Sequence, residues 1–139
     1  MKKIPEILDK LRRTGFKLTP QRLAILEVLQ GNTDHPSASM IYQSVRDRYP
    51  MISFATVYKT LKVLEKVDEV RPLTIVEDKL NYDPDTSPHH HFHCRACRRI
   101  IDVFPSEDPM PSSIDGHQVD KYQVYFYGLC ADCAGRKDA

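Results

Sequence analysis

Two cysteine pairs, Cys94-x-x-Cys97 and Cys130-x-x-Cys133, constrain this chain more than any other feature. Each pair fits a tight turn that presents two sulfurs to one ion. Two such knuckles complete a tetrahedral site of four thiolates. The 32 residues between the pairs exceed the roughly 15 to 20 of a compact zinc ribbon. A small subdomain must therefore sit between the knuckles and fold back to join them. The strand-like runs "IIDVF" and "HQVDKYQVYFYGLC" are suited to building it. Structural Zn2+ on Cys94, Cys97, Cys130 and Cys133 is the expectation. The rival is a reactive dithiol, the other common use of a Cys-x-x-Cys pair.

The length of 139 residues allows one domain or two small ones. The sequence has no run of about 18 apolar residues that would cross a membrane. The start "MKKIPEILDK" lacks the apolar segment of a signal peptide. The expected location is cytoplasmic, with no membrane partner. In that compartment paired cysteines bind metal more often than they form disulfides.

Net charge is only +1, but the halves differ: residues 1–62 carry +6 and residues 63–139 carry −5. A basic front half suits a polyanion. It also reads as four successive helices. "IPEILDKLRR" repeats apolar residues at helical spacing. "TPQRLAILEVLQG" opens with Thr19 as N-cap and Pro20 at the first position, and closes on Gly31. "SASMIYQSVRDRYP" starts at Ser37 and stops before Pro50; "SFATVYKTLKVLEKV" starts at Ser53.

The fourth helix carries the case for DNA. Phe54, Val57, Leu61 and Leu64 share one face and are expected to pack inward. Thr56, Lys59 and Lys62 lie on the other, with Tyr58 at the border. Lysines reach phosphates or guanine edges, and Tyr and Thr can touch a thymine methyl. Arg22 of the second helix is grouped with them as a DNA contact. The bland alternative is a solvated amphipathic helix. Two extended runs follow, Val70 to Val76 and Lys79 to Tyr82, around a turn at Glu77-Asp78. Helices, a reading helix and then a hairpin spell a winged helix, which favours DNA.

The stretch "HHHFHCRACRRIID" holds histidines that a four-sulfur site does not need. In an extended segment His89 and His91 point to one side, so both can face one ion. Asp102 lies five residues past Cys97, Asp83 ends the wing, and His35 precedes the third helix. Three imidazoles and two carboxylates form a mixed N/O set that suits Fe(II) or Mn(II). Singly, each histidine reads as an ordinary surface or core residue.

With "LTPQRLAIL", "HPSASMIY", "ISFATVYKTL", "HHHFHCRACRRIID" and "YGLCADC" in view, the chain resembles the ferric uptake regulator family over essentially its whole length. The resemblance implies an α+β homodimer that binds palindromic operator DNA. Residues 1–82 would form the winged-helix DNA-binding domain. Residues 83–139 would form a small α/β dimerisation and metal-binding domain with the four-cysteine zinc. A metal at the hinge would set the dimer's geometry for DNA. Iron-uptake members tend to carry glutamate where this chain has Asp83 and Asp102; the peroxide-sensing branch has aspartate at both. The resemblance to that branch carries over His35, Asp83, His89, His91 and Asp102 as sensory ligands of Fe2+ or Mn2+. It implies a repressor in which Fe(II)-catalysed oxidation converts His35 or His89 to 2-oxo-histidine. An iron-supply or other metal-uptake regulator is the alternative.

The chain departs from the family pattern in places. His90 and His93 are extra histidines, and His93 is expected to be solvated or to sit behind the ligands. Tyr122 stands where many relatives have a histidine. Lys59 and Thr60 differ on the reading helix. "FPSEDPMPSSIDGH" replaces a dimerisation helix and holds three prolines, which cannot continue a helix interior. A loop or single turn is expected there, leaving dimerisation to strands such as Val119 to Tyr127. Two other classes compete. A metal-dependent hydrolase could use His, His and Asp, but it needs a general base and leaves the winged helix without purpose. A protein-binding adaptor with structural zinc alone predicts no effect of changing His35 or Asp102.

Overall fold

A computed structural model of the chain describes residues 1–106 and 110–136. The chain divides into two compact units, Met1–Ser87 and Pro88–Ala139.

The first unit opens with four helices, α1 (Ile4–Arg13), α2 (Pro20–Leu29), α3 (Ala38–Arg46) and α4 (Phe54–Lys66). Three start on hydroxyl caps. Thr19 accepts from Arg22 N at 3.2 Å, Ser37 from Met40 N at 3.2 Å and Ser53 from Thr56 N at 3.1 Å. Each satisfies an otherwise orphaned amide and stabilises its helix by about 1 kcal/mol. Gly31, just past α2, has φ 70°, a backbone that glycine adopts without steric cost. Helix α2 buries Ala24, Ile25, Leu26 and Leu29, almost all round, as a central helix must. Ile7 and Leu11 of α1, Ile41 and Val45 of α3, and Val57, Leu61 and Leu64 of α4 complete the core. Each such side chain adds roughly 2 kcal/mol by burial.

Strands β1 (Arg71–Leu73) and β2 (Asn81–Asp83) follow and pair antiparallel, Pro72 opposite Tyr82. The expected wing is present with shorter strands. Glu77, Asp78 and Lys79 are exposed, and Asp78 at φ 59° turns the chain outside the ladder. Tyr82 is buried in the core shared with α4. Burial pushes its phenol up to about 12, and Tyr58 and Glu65 add to the rise. Glu69 is buried and accepts from Lys2 N and Lys10 Nζ, both at 3.0 Å. The pair ties the start of the chain to the end of α4.

One expectation for α4 fails. Phe54 is 47% exposed and meets the edge of Tyr42, with ring centres 5.8 Å apart. Its helical phase is right, but it occupies the first turn, which projects past the core. Thr60 is buried and donates to Thr56 O at 2.7 Å. It belongs to the packed face of α4.

The second unit holds a three-stranded sheet in the order β4-β3-β7, with β3 (His90–Cys94), β4 (Ile100–Val103) and β7 (Tyr125–Gly128). β4 runs antiparallel to β3, and β7 runs parallel to it. Helix α5 (Ala131–Ala134) follows β7 directly. A two-residue hairpin, β5 (Ser113–Ile114) and β6 (His117–Gln118), lies between β4 and β7. Its turn is Asp115-Gly116, φ 50° and 82°, the Asp-Gly turn typical of two-residue hairpins. Among the described residues of 104–117 there is no helix, as the prolines require; residues 107–109 of that stretch lie outside the described residues. The strand expected over Val119 to Tyr127 is confined to Tyr125–Gly128. Extending the β3 ladder upstream would run into Pro88, which has no amide to donate.

Candidate metal centre

The parallel pairing of β3 and β7 closes the gap between the two cysteine pairs. Cys94 ends β3 opposite Gly128, and Arg95 N donates to Gly128 O at 2.8 Å. Cys130, two residues on, caps α5 and donates its amide to Cys94 Sγ at 3.4 Å. The first knuckle closes when Arg98, at φ 67°, donates to Cys94 O at 3.0 Å. Cys97 N then faces Cys94 Sγ at 3.5 Å. All four sulfurs lie within 4.8 Å of one another.

Cys97 Sγ and Cys130 Sγ are 3.8 Å apart. Zn–S bonds of about 2.3 Å, set tetrahedrally, give sulfur–sulfur edges of about 3.8 Å. A disulfide needs about 2.05 Å, and all four cysteines are free thiols. The donor set and its spacing therefore fit zinc. Without an ion the amides of Cys130 and Cys97 pull the Cys94 thiol down to about 5. The neighbouring Cys130 sulfur holds the Cys133 thiol up at about 12. Four thiols so close cannot all ionise unaided, and a dication removes that obstacle.

Imidazoles and carboxylates gather in each unit. In the first, His35 Nε2 lies 3.5 Å from Asp83 Oδ2, and both residues are buried. Local stitching brings them together. Asn81 Nδ2 donates to His35 O at 2.8 Å, and Tyr82 N donates to Pro36 O at 2.9 Å. The lead into α3 thus runs alongside β2. His35 adopts φ 52°, a left-handed backbone uncommon outside glycine and found at strained functional positions.

In the second unit His91 and Asp102 are cross-strand partners. His91 Nε2 lies 3.3 Å and His89 Nε2 3.0 Å from the same atom, Asp102 Oδ1. The two imidazole centres are 4.5 Å apart, and the His89 ring stacks on Phe104 at 5.6 Å. Two imidazole nitrogens converging on one carboxylate oxygen form a donor class that suits first-row divalent ions. His90 is buried, with its ring 5.9 Å from Tyr122. His93 is half-buried, 6.2 Å from the Tyr127 ring.

On α4, Tyr58, Lys59 and Lys62 are exposed. Lys62 Nζ sits 5.5 Å over the Tyr58 ring and 3.6 Å from Glu65. Thr56 is half-buried, its hydroxyl 2.9 Å from that of Ser53. Arg22 lies at the start of α2, its guanidinium 4.4 Å over Phe16 and donating to Lys17 O.

The sequence profile of the ferric uptake regulator family matches residues 13–125. The chain belongs to the ferric uptake regulator family. It is 34% identical over 139 residues to the peroxide operon regulator of Bacillus subtilis (strain 168), covering 97% of this chain and 96% of that one. Its structure is similar to that of PerR from Streptococcus pyogenes, studied for peroxide sensing and gene regulation. That likeness has 32% identity, a TM-score of 0.54, and coverage of 92% of this chain and 90% of that one. The ferric uptake regulator Fur of Helicobacter pylori overlays with a TM-score of 0.76 over 98% of this chain and 97% of its own. Identity there is 21%, which establishes the fold alone.

The winged helix and the small α/β domain with clustered cysteines are the architecture of the ferric uptake regulator family. Sequence reasoning passed over one pair of residues at the cysteine site. Arg99 Nε lies 3.4 Å from Cys97 Sγ, and Arg99 Nη2 lies 3.7 Å from Cys130 Sγ and 2.9 Å from Asp132 Oδ2. Their positions two residues after a cysteine in each half, Arg99 after Cys97 and Asp132 after Cys130, were the available signal.

Proposed function

We propose that this chain is a metal-dependent, DNA-binding repressor that responds to peroxide. The observation that carries the reading is the pair of aspartates, Asp83 beside His35 and Asp102 beside His89 and His91. They stand in a chain 34% identical to a peroxide operon regulator. The alternative, an iron-supply regulator, has the weaker support, its similar structures being 21% to 28% identical to this chain.

In this reading His35 and Asp83 join His89, His91 and Asp102 around one Fe2+ or Mn2+. Cys94, Cys97, Cys130 and Cys133 hold a structural Zn2+. The chain works as a homodimer in the cytoplasm, on double-stranded palindromic operator DNA. Tyr58, Thr56, Lys59, Lys62 and Arg22 contact the operator, with α4 in the major groove. The chain divides at Ser87–Pro88, with His35 and Asp83 before that point and His89, His91 and Asp102 after it, so in this reading the regulatory ligands come from both sides of a hinge.

When bound, Fe(II) supplies the reduction of peroxide that places an oxygen on a neighbouring imidazole. The chain's own residues do the rest. The imidazoles of His35 and His89 offer their ring carbons for modification, and the carboxylates hold those rings in place. An oxidised imidazole is a poorer ligand, so the hinge loses a restraint. Each tenfold loss of differential affinity removes about 1.4 kcal/mol of bias toward the DNA-competent state. The chain is a regulator in this reading, and no substrate is turned over.

The test compares Fe(II)- and Mn(II)-loaded protein, prepared without oxygen, on operator DNA before and after a low dose of peroxide. Peptides carrying His35 and His89 are then weighed by mass spectrometry. The expected result is loss of DNA binding with one added oxygen in the Fe(II) form only. Unmodified histidines in the Fe(II) form, with DNA released only on iron depletion, would establish the iron-supply reading instead.

A further inference from the structure

We propose that Arg99 is a clamp over the cysteine cluster, held by Asp132, that protects the site's exposed sulfur from oxidants. The inference rests on the zinc reading above.

Three of the four cysteines are buried; Cys97 is exposed. An oxidant arriving from solvent therefore meets Cys97 Sγ first. Arg99 lies against that sulfur, with Nε at 3.4 Å, while its Nη2 reaches Cys130 Sγ at 3.7 Å. One guanidinium thus spans a sulfur from each knuckle. Its backbone is anchored, since Cys94 N donates to Arg99 O at 3.1 Å. Its far end is anchored too, by Asp132 Oδ2 at 2.9 Å. Asp132 sits in the first turn of α5, two residues past Cys130, so it is fixed to the second knuckle. A planar fork of donors fits this task, and a lysine ammonium does not.

The direction of the effect follows from charge. Four thiolates around a dication leave two net negative charges on the sulfurs. A bound metal deprotonates its thiols outright, so a nearby cation cannot raise the thiolate fraction. It only withdraws electron density, and thiolate nucleophilicity falls as density is withdrawn. Zinc's partners outside the first ligand shell tune such sites strongly.

The reaction opposed is two-electron oxidation by hydrogen peroxide. Cys97 Sγ attacks one peroxide oxygen, the O–O bond breaks and hydroxide leaves, giving a sulfenic acid. Cys130 Sγ, 3.8 Å away, then attacks the Cys97 sulfur. The S–S bond forms, the S–O bond breaks and a second hydroxide leaves. Two thiolates are oxidised to one disulfide, one peroxide is reduced to two hydroxides, and the ion is released with two ligands gone. A chain that reports peroxide through histidines needs this competing route to be slow.

The test uses the full-length, iron-free chain and its variants Arg99→Ala, Arg99→Lys and Asp132→Asn. Zinc content is measured first. Zinc release is then followed with a chromogenic chelator, alone and with added hydrogen peroxide. Arg99→Ala should release zinc roughly tenfold faster under peroxide. Arg99→Lys and Asp132→Asn should fall between it and the unaltered chain. If Arg99→Ala does not fold, equal release rates in the other two variants and the unaltered chain overturn the clamp. An unaltered chain that lacks zinc overturns the zinc reading itself, a separate outcome.

Discussion

His91 and Asp102 face each other across adjacent antiparallel strands, with Nε2 3.3 Å from Oδ1. The same oxygen lies 3.0 Å from His89 Nε2. One carboxylate atom therefore organises two imidazoles. Removing it should cost far more metal affinity than a surface substitution would. We predict that Asp102→Ala lowers Mn(II) affinity by at least about tenfold while leaving zinc content unchanged. Asp102→Glu should keep metal-dependent DNA binding and lose much of the peroxide-driven histidine oxidation. Calorimetric titration with Mn(II), together with zinc analysis, checks the first; peptide mass measurement checks the second. An unaltered Mn(II) affinity in Asp102→Ala would exclude this carboxylate from the ligand set.

Replacing Cys94 or Cys133 by serine should have a different signature. Both sulfurs are buried, and zinc binding to such a cluster is coupled to folding. We predict that either variant loses its zinc and that residues 88–136 lose ordered structure. Zinc-to-protein ratio and amide hydrogen exchange read the two losses together. A zinc-free Cys133→Ser chain with full amide protection in β3 and β7 would show that the sheet stands without the ion.

Tyr58 and Lys62 should separate specificity from affinity on DNA. Both are exposed on α4, and the ammonium sits over the ring at 5.5 Å. Tyr58→Ala should reduce discrimination between cognate and scrambled duplex. Lys62→Ala should weaken both equally and lower the salt slope by about one unit. Binding isotherms at several salt concentrations measure both. Intact discrimination in Tyr58→Ala would mean that α4 does not read the operator.

Local chemistry made the helices and the cysteine knuckles legible in advance. Thr19, Ser37 and Ser53 cap the helices they were expected to open. Such signals act within three or four residues, so sequence displays them directly. Phe54 was misread for a related reason. Helical period assigns a face, but it does not say where along the helix the core begins or how wide the packed stripe is. The parallel pairing of β3 with β7 was illegible because strands do not name their partners. Asp115-Gly116 is the opposite case, a strong hairpin signal hidden inside a segment judged only by its prolines. Arg99 and Asp132 lie 33 residues apart in sequence, and only the docking of β7 on β3 brings them together.

Tyr82 offers a test of the packing beneath α4 that needs neither metal nor DNA. Its phenol is buried, and its pKa is raised from 10.0 to about 12, first by desolvation and then by Tyr58 and Glu65. The folded state therefore favours the protonated phenol. Below pH 10 both folded and unfolded chains carry it protonated, and it adds no pH dependence. Above pH 10 the unfolded chain loses the proton first. Folding stability should then fall with rising pH until the folded group also ionises near pH 12. The slope from this one group is at most about 1.4 kcal/mol per pH unit. Tyr82→Phe keeps the ring and removes the proton, so its stability should fall less steeply over that window. Urea unfolding of both proteins from pH 8 to 11.5 measures the difference. Parallel stability curves for the two would mean that the phenol is not desolvated as its place in the core requires.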